Sequence, residues 1–91
     1  MELKWTSKAL SDLARLYDFL VLASKPAAAR TVQSLTQAPV ILLTHPRMGE
    51  QLFQFEPWEV RRIFAGEYEI RYELNGPTIY VLRLWYTREN R

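Results

Sequence analysis

The sequence predicts an α+β domain: a short N-terminal strand, an antiparallel helix hairpin, and a three- to four-stranded antiparallel sheet with both helices packed on one of its faces. Three observations carry that expectation. Apolar residues recur at helical spacing in the first half, at Leu10, Leu13, Leu16, Tyr17 and Leu20. From Tyr68 the period drops to two, with Tyr68, Ile70, Tyr72 and Leu74 alternating with Glu69, Arg71 and Glu73. Asn75-Gly76 then supplies a strong hairpin signal. The 91 residues fit a single domain, 1–91.

Residues 1–5 read as an edge strand through Glu2 to Trp5. Thr6 or Ser7 offers a side-chain oxygen to cap a helix over 7–22, with Lys8, Ser11, Asp12, Arg15 and Asp18 on its polar side. Ser24-Lys25-Pro26 starts the second helix, since proline is tolerated in a first turn. Ala27, Ala28 and Ala29 favour helix, and Val32, Leu35 and Leu42 continue an apolar stripe. Pro39 bends that helix near Leu35 to Ala38 or forces a restart. Thr44-His45-Pro46 closes the hairpin, 7–45, and Met48-Gly49 turns the chain.

The sheet is expected over 51–86. Its first strand is Gln51 to Phe55 and its second Trp58 to Ala65, followed by a turn at Gly66-Glu67. The last strand, Thr78 to Tyr86, is apolar at nearly every position except Arg83, which predicts a central place. A basic tail, 87–91, ends the chain.

Composition narrows the chemistry. Without cysteine there is no disulfide, cysteine-held zinc or thiol nucleophile. His45 is the sole histidine, so a catalytic triad or histidine metal site has little to build on. No cofactor and no metal are expected. The N-terminus lacks the apolar run of a signal peptide, and Pro39 to Leu43 is too short to cross a bilayer. A cytoplasmic protein with no membrane partner is expected. The net charge of +2 is small for a stand-alone nucleic-acid binder.

All three Lys lie early, at Lys4, Lys8 and Lys25, and every later cation is Arg, a residue suited to pairing with planar anions. Arg71 and Arg83 are expected to meet across the last hairpin, joined by one of Arg61 and Arg62, in an arginine row continued by Arg88 and Arg91. The alternative is cross-strand neutralisation by Glu59, Glu69 and Glu73. Trp85 and Tyr86 point to opposite faces, while Trp5 and Trp58 are expected in the core or at its rim.

The order of these elements, with the stretches "W…A…DL..LYDFL", "LLTHPRMGE", "VRRIFAGEYEIRYEL" and "IYVLRLWYTRENR", resembles the RelE/ParE superfamily of small bacterial toxins. The "P.MG" link and the closing arginines look particularly like ParE, the plasmid-stabilisation branch. The resemblance covers the whole chain. It implies the toxin of a type II toxin–antitoxin module that binds DNA gyrase and stalls its cleaved complex without catalysis of its own, so that nucleic acid enters only indirectly. A cognate antitoxin would neutralise it in a hetero-oligomer. The expected target surface is Arg61, Arg62, Arg71, Arg83, Trp85, Tyr86, Arg88 and Arg91. The expected antitoxin dock is Leu13, Leu16, Tyr17, Leu20, Val32 and Leu35. The alternative is a RelE-like ribosome-dependent mRNA endoribonuclease using Glu59, Arg83 and Tyr86. Against it stand the absence of any Lys after Lys25 and of a histidine near the C-terminus.

Overall fold

Thr6 is the joint on which the first strand becomes the first helix. Its hydroxyl oxygen accepts a hydrogen bond from the Ala9 N–H and so caps helix α1 (Ser7–Val21). The hydroxyl proton faces the carbonyls of Val81 and Leu82, at 2.9 and 3.1 Å. The computed structural model that shows this describes residues 1–88.

Strand β1 (Glu2–Trp5) pairs in parallel with the last strand, β5 (Thr78–Tyr86), in a register running from Glu2 opposite Thr78 to Trp5 opposite Val81. The sheet is therefore five-stranded and mixed, in the order β1-β5-β4-β3-β2, not antiparallel with three or four strands. The long route between β1 and β5 makes this pairing feasible, because parallel neighbours need an extended crossover. The other strands are β2 (Glu50–Gln51), β3 (Glu59–Ala65) and β4 (Tyr68–Asn75), all antiparallel to their neighbours. Gly76 holds a positive φ of 60° in the β4–β5 turn, where a side chain would be strained.

Helix α2 (Lys25–Gln37) is capped by Ser24, whose oxygen accepts from the Ala27 N–H, and carries Pro26 in its first turn. A 3-10 helix, Ala38–Leu43, follows without a break, so the chain restarts around Pro39. The expected strand from Gln51 to Phe55 stops after Gln51. Leu52 turns into the core, Phe53 turns outward, and Phe53–Phe55 forms a single 3-10 turn. Two adjacent large apolar residues with different destinations break the alternation a strand needs.

The core forms between α1, α2 and one sheet face. Ala9, Leu35, Ile70, Val81 and Leu84 make one buried cluster, and Leu42, Tyr72, Leu74 and Ile79 make another. Helix α1 packs on β5, and α2 leans on α1 and the 3-10 segment. The β4–β5 ladder has one irregularity. Tyr72 pairs with Val81 but Arg71 pairs with Arg83, so Leu82 is an extra residue, a β-bulge in β5 that resets the far half of the strand.

Candidate functional site

Strand β1 pairs with β5 only as far as Val81, which leaves the edge of β5 bare beyond the bulge. Helix α1 covers it with Asp12. The carboxylate accepts from Arg83 Nε at 2.7 Å and Nη2 at 3.1 Å, from the Leu84 N–H at 3.1 Å, and from Arg15 Nη2 at 3.0 Å. Asp12 is only 3% exposed, so the expectation that it sits on the polar side of the helix is corrected. Burial pushes its carboxyl upward, but the bonds from Arg83, Leu84 and Arg15 outweigh that and hold it below the ordinary 3.8. The same pair raises Arg83. The expected row forms in register, with Arg62 opposite Arg71 and Arg71 opposite Arg83, but the Arg83 guanidinium is taken up by Asp12 at the sheet edge.

Of the adjacent pair, Arg62 joins the row and Arg61 stays out of it. Arg61 sits opposite Tyr72 and points toward the loop after the 3-10 helix, where Nη1 donates to the carbonyls of Gly49 at 2.8 Å and Arg47 at 3.2 Å. Its Nε donates to Glu59 at 2.9 Å, and Arg47 grips the same carboxylate with two bonds at 2.9 and 3.0 Å. The Arg47 bond first, with help from Arg61 and against partial burial, holds Glu59 below the usual carboxylate range. The buried Tyr72 hydroxyl donates to the Pro46 carbonyl at 2.7 Å and accepts from the Gly49 N–H at 3.1 Å. Gly49 is required there, since a Cβ would stand 2.6 Å from both the Arg62 carbonyl and the Tyr72 hydroxyl. Desolvation raises the Tyr72 phenol. The "P.MG" stretch is thus a loop pinned to the sheet from beneath.

Arg62 and Arg71, cross-strand partners, remain together on the face away from the helices. Between them lies Glu69, 5% exposed, which accepts from Arg71 Nη2 at 3.2 Å and from Arg62 Nη1 at 3.5 Å. Arg62 has its closer partner in Glu50, at 2.8 Å, and lies over the Phe64 ring. The Glu50 bond raises Arg62. The Arg71 guanidinium carbon lies 5.1 Å from the Phe55 ring centre and 4.7 Å from that of Trp85. Phe53, Trp58 and Phe64 stand out at 64, 62 and 55% exposure. Trp58 is therefore a surface residue, contrary to the expectation of core or rim, whereas Trp5 packs against the core.

Trp85 and Tyr86 do diverge: Trp85 meets Arg71 on the open face, and Tyr86 packs on Tyr68, its cross-strand partner, on the helix side. Tyr68 and Tyr86 sit at one end of a groove of about 1110 Å³ between the helices and the β3–β4 turn. Of the expected antitoxin residues, Leu16, Leu20 and Leu35 line it; Leu13, Tyr17 and Val32 are half-buried elsewhere or beneath it. Glu67 at its rim accepts from Tyr86 at 3.4 Å and pairs with Arg88 at 2.6 Å. Arg88 thus stands by the groove, away from the open face, and Arg91 lies outside the described residues.

The nuclease candidates are not gathered. Tyr86 is opposite Tyr68, which is opposite Ala65, and Glu59 lies at the other end of β3. The two ends of that seven-residue strand are six steps apart, roughly 20 Å. Neutralisation by Glu59 and Glu69, the alternative the sequence offered, is present in the pairs of Glu59 with Arg61 and of Glu69 with Arg62 and Arg71. The roles of Asp12 and Phe55 were missed; the signal for Asp12 was arithmetic, since an arginine inside a strand needs a countercharge and Asp12 falls three residues after the buried Ala9. Among the described residues no cluster of three or more metal-ligating side chains occurs, and no helix is long and apolar enough to cross a membrane.

A sequence model of the family described as ParE toxin of type II toxin-antitoxin system, parDE, matches residues 3–91. A solved structure described as the chromosomal ParDE TA system from P. aeruginosa is similar in fold, with a TM-score of 0.81 and 27% sequence identity over 97% of each chain. No curated protein matches the sequence.

Proposed function

The chain belongs to the ParE toxin family of type II toxin–antitoxin systems, and from that premise we propose that it arrests growth by binding DNA gyrase and stalling its cleaved DNA complex, with a cognate antitoxin neutralising it by direct binding. The match across residues 3–91 is the observation that carries the reading.

The groove suits the antitoxin. Leu16, Leu20 and Leu35 offer an apolar wall, Tyr68 and Tyr86 an aromatic one. An amphipathic segment that orders on binding would lay its apolar side chains there. Arg15, Arg30 and Arg88 along or beside the groove favour an acidic segment. The open face, with Arg62, Arg71 and Trp85, is then the surface left for the target. A cytoplasmic location goes with both partners.

The ribonuclease reading finds little support in the geometry. A base and an acid must both reach the reacting ribose and phosphate within hydrogen-bond distance. Glu59 and Tyr86 stand at opposite ends of a strand, Glu59 is held as a weakly basic carboxylate, and Arg83 is bound to Asp12.

The deciding experiment adds purified toxin to DNA gyrase with relaxed and supercoiled plasmid, with a translation extract run in parallel. Linear plasmid accumulating while mRNA stays intact is the expected result. Cut mRNA with unaffected gyrase would replace the proposal with the nuclease reading.

A further inference from the structure

The open sheet face carries more guanidinium donors than acceptors. Arg62 and Arg71 share the single buried carboxylate of Glu69, and Arg62 has recourse to Glu50. Arg71 has no second carboxylate among the described ion pairs, and its Nε is buried without a hydrogen-bond partner. An arginine fork normally meets a planar acceptor with two parallel bonds. Here one prong is met by Glu69 and another is left idle against aromatic rings.

We propose that Arg71 is the anchor for a carboxylate side chain presented by a protein partner, received on the aromatic face of the sheet. Phe55 and Trp85 hold the guanidinium flat and partly dry, which strengthens a charge-assisted bond. Phe55 rides on the single 3-10 turn Phe53–Phe55, while Trp85 is fixed in β5. The incoming carboxylate therefore enters by displacing the Phe55 ring. Exposed Phe53, Trp58 and Phe64 around the site accept apolar neighbours of that carboxylate. A nucleic-acid strand fits less well. Glu50, Glu69 and Glu73 lie on or beside the same face and repel a polyanion, and the one lysine on it, Lys4, stands out on the edge strand opposite Tyr80.

Two measurements test this. Protein labelled with ¹⁵N at arginine is titrated with an acetylated peptide of alternating Leu and Glu, with its Leu/Gln counterpart, and with a single-stranded oligonucleotide. The Arg71 Nε–H resonance, assigned by its loss in Arg71→Lys, should move downfield with the acidic peptide alone. A shift with the oligonucleotide, or none with millimolar acidic peptide, overturns the proposal. The second arm rests on the toxin reading above and scores growth arrest, which does not depend on the identity of the target. Arg71→Lys should weaken arrest at least tenfold with an unchanged melting temperature, and Glu2→Gln, at the exposed start of the edge strand, should leave it intact. Loss of arrest by Arg71→Lys together with a lowered melting temperature would make the face structural and overturn the anchor. Full arrest by Arg71→Lys would do the same. Wild-type protein that leaves gyrase untouched yet still shows the peptide-dependent shift would refute the gyrase target and leave the anchor standing.

Discussion

Arg71 and Arg83 are cross-strand partners with opposite environments. Arg83 is locked by Asp12, a carboxylate with four donors converging on it from α1 and β5. Arg71 leans on two rings and shares one glutamate with Arg62. The bulge at Leu82 and the early end of β1 explain the divergence. Beyond Val81 the edge of β5 has no neighbouring strand, and an open edge has to be covered. Helix α1 begins at that point and brings Thr6 and Asp12 to do so. The covered edge of the sheet therefore uses its arginine to close the fold, and the open face keeps its other arginines for contact. Placement of a charged residue on a strand does not reveal its use; the neighbouring element decides.

The largest effect should come from breaking the covered side. Asp12→Ala strands the Leu84 N–H and leaves Arg83 without its partner. Arg83 is partly exposed, so the cost falls at the lower end of the range for a broken buried pair, about 3 kcal/mol. That is a large share of the stability of a small domain. Urea denaturation should show the midpoint falling with an unchanged slope. A loss under about 1 kcal/mol would mean that the edge is closed by something other than Asp12.

The matching change on the open side is smaller. Glu69→Gln keeps an acceptor between Arg62 and Arg71 and removes only the charge, while Glu50 and the two rings still hold the guanidinium groups. We expect a loss of about 1 kcal/mol. A loss equal to that of Asp12→Ala would erase the contrast between the two sides.

Acid should act on the covered side as well. The folded pKa of Asp12 lies below its unfolded value, so the unfolded chain takes up more protons as pH falls. The stabilisation is present above the ordinary carboxylate range and is lost as pH drops through the folded value. Urea midpoints measured from about pH 6 to about pH 3 should fall more steeply for the wild type than for Asp12→Asn. Parallel curves would show that Asp12 is not the group responsible.

The same contrast separates what was readable in advance from what was not. Periodicity located both helices, and Asn75-Gly76 located the last hairpin, because each signal is local. Helical spacing put Leu16, Leu20 and Leu35 on apolar stripes, and all three line the groove. The parallel β1–β5 pairing was not legible, since it joins the two ends of the chain and no local pattern encodes it. Nor was the bulge, where one extra apolar residue, Leu82, sits in a run that is apolar throughout. Without the bulge and the edge, Asp12 read as a surface residue and Arg83 as the exceptional cation of an exposed row. Phe55 read as a strand residue because the turn that carries it over Arg71 has no glycine to announce it.

The smallest expected effect bears most directly on how loose the open face is. Glu50 is 64% exposed and sits on a two-residue strand, so its bond to Arg62 competes with water and with side-chain freedom. Glu50→Gln should change stability by less than about 0.5 kcal/mol, as for other solvent-facing pairs. Whatever small change appears should vanish in high salt, because exposed charges are screened over roughly 10 Å at moderate ionic strength. The Asp12 contribution, buried and multiply bonded, should survive the same salt. If Glu50→Gln cost as much as Glu69→Gln and resisted salt, Arg62 would be locked in the manner of Arg83, and the open face would hold only Arg71 in reserve.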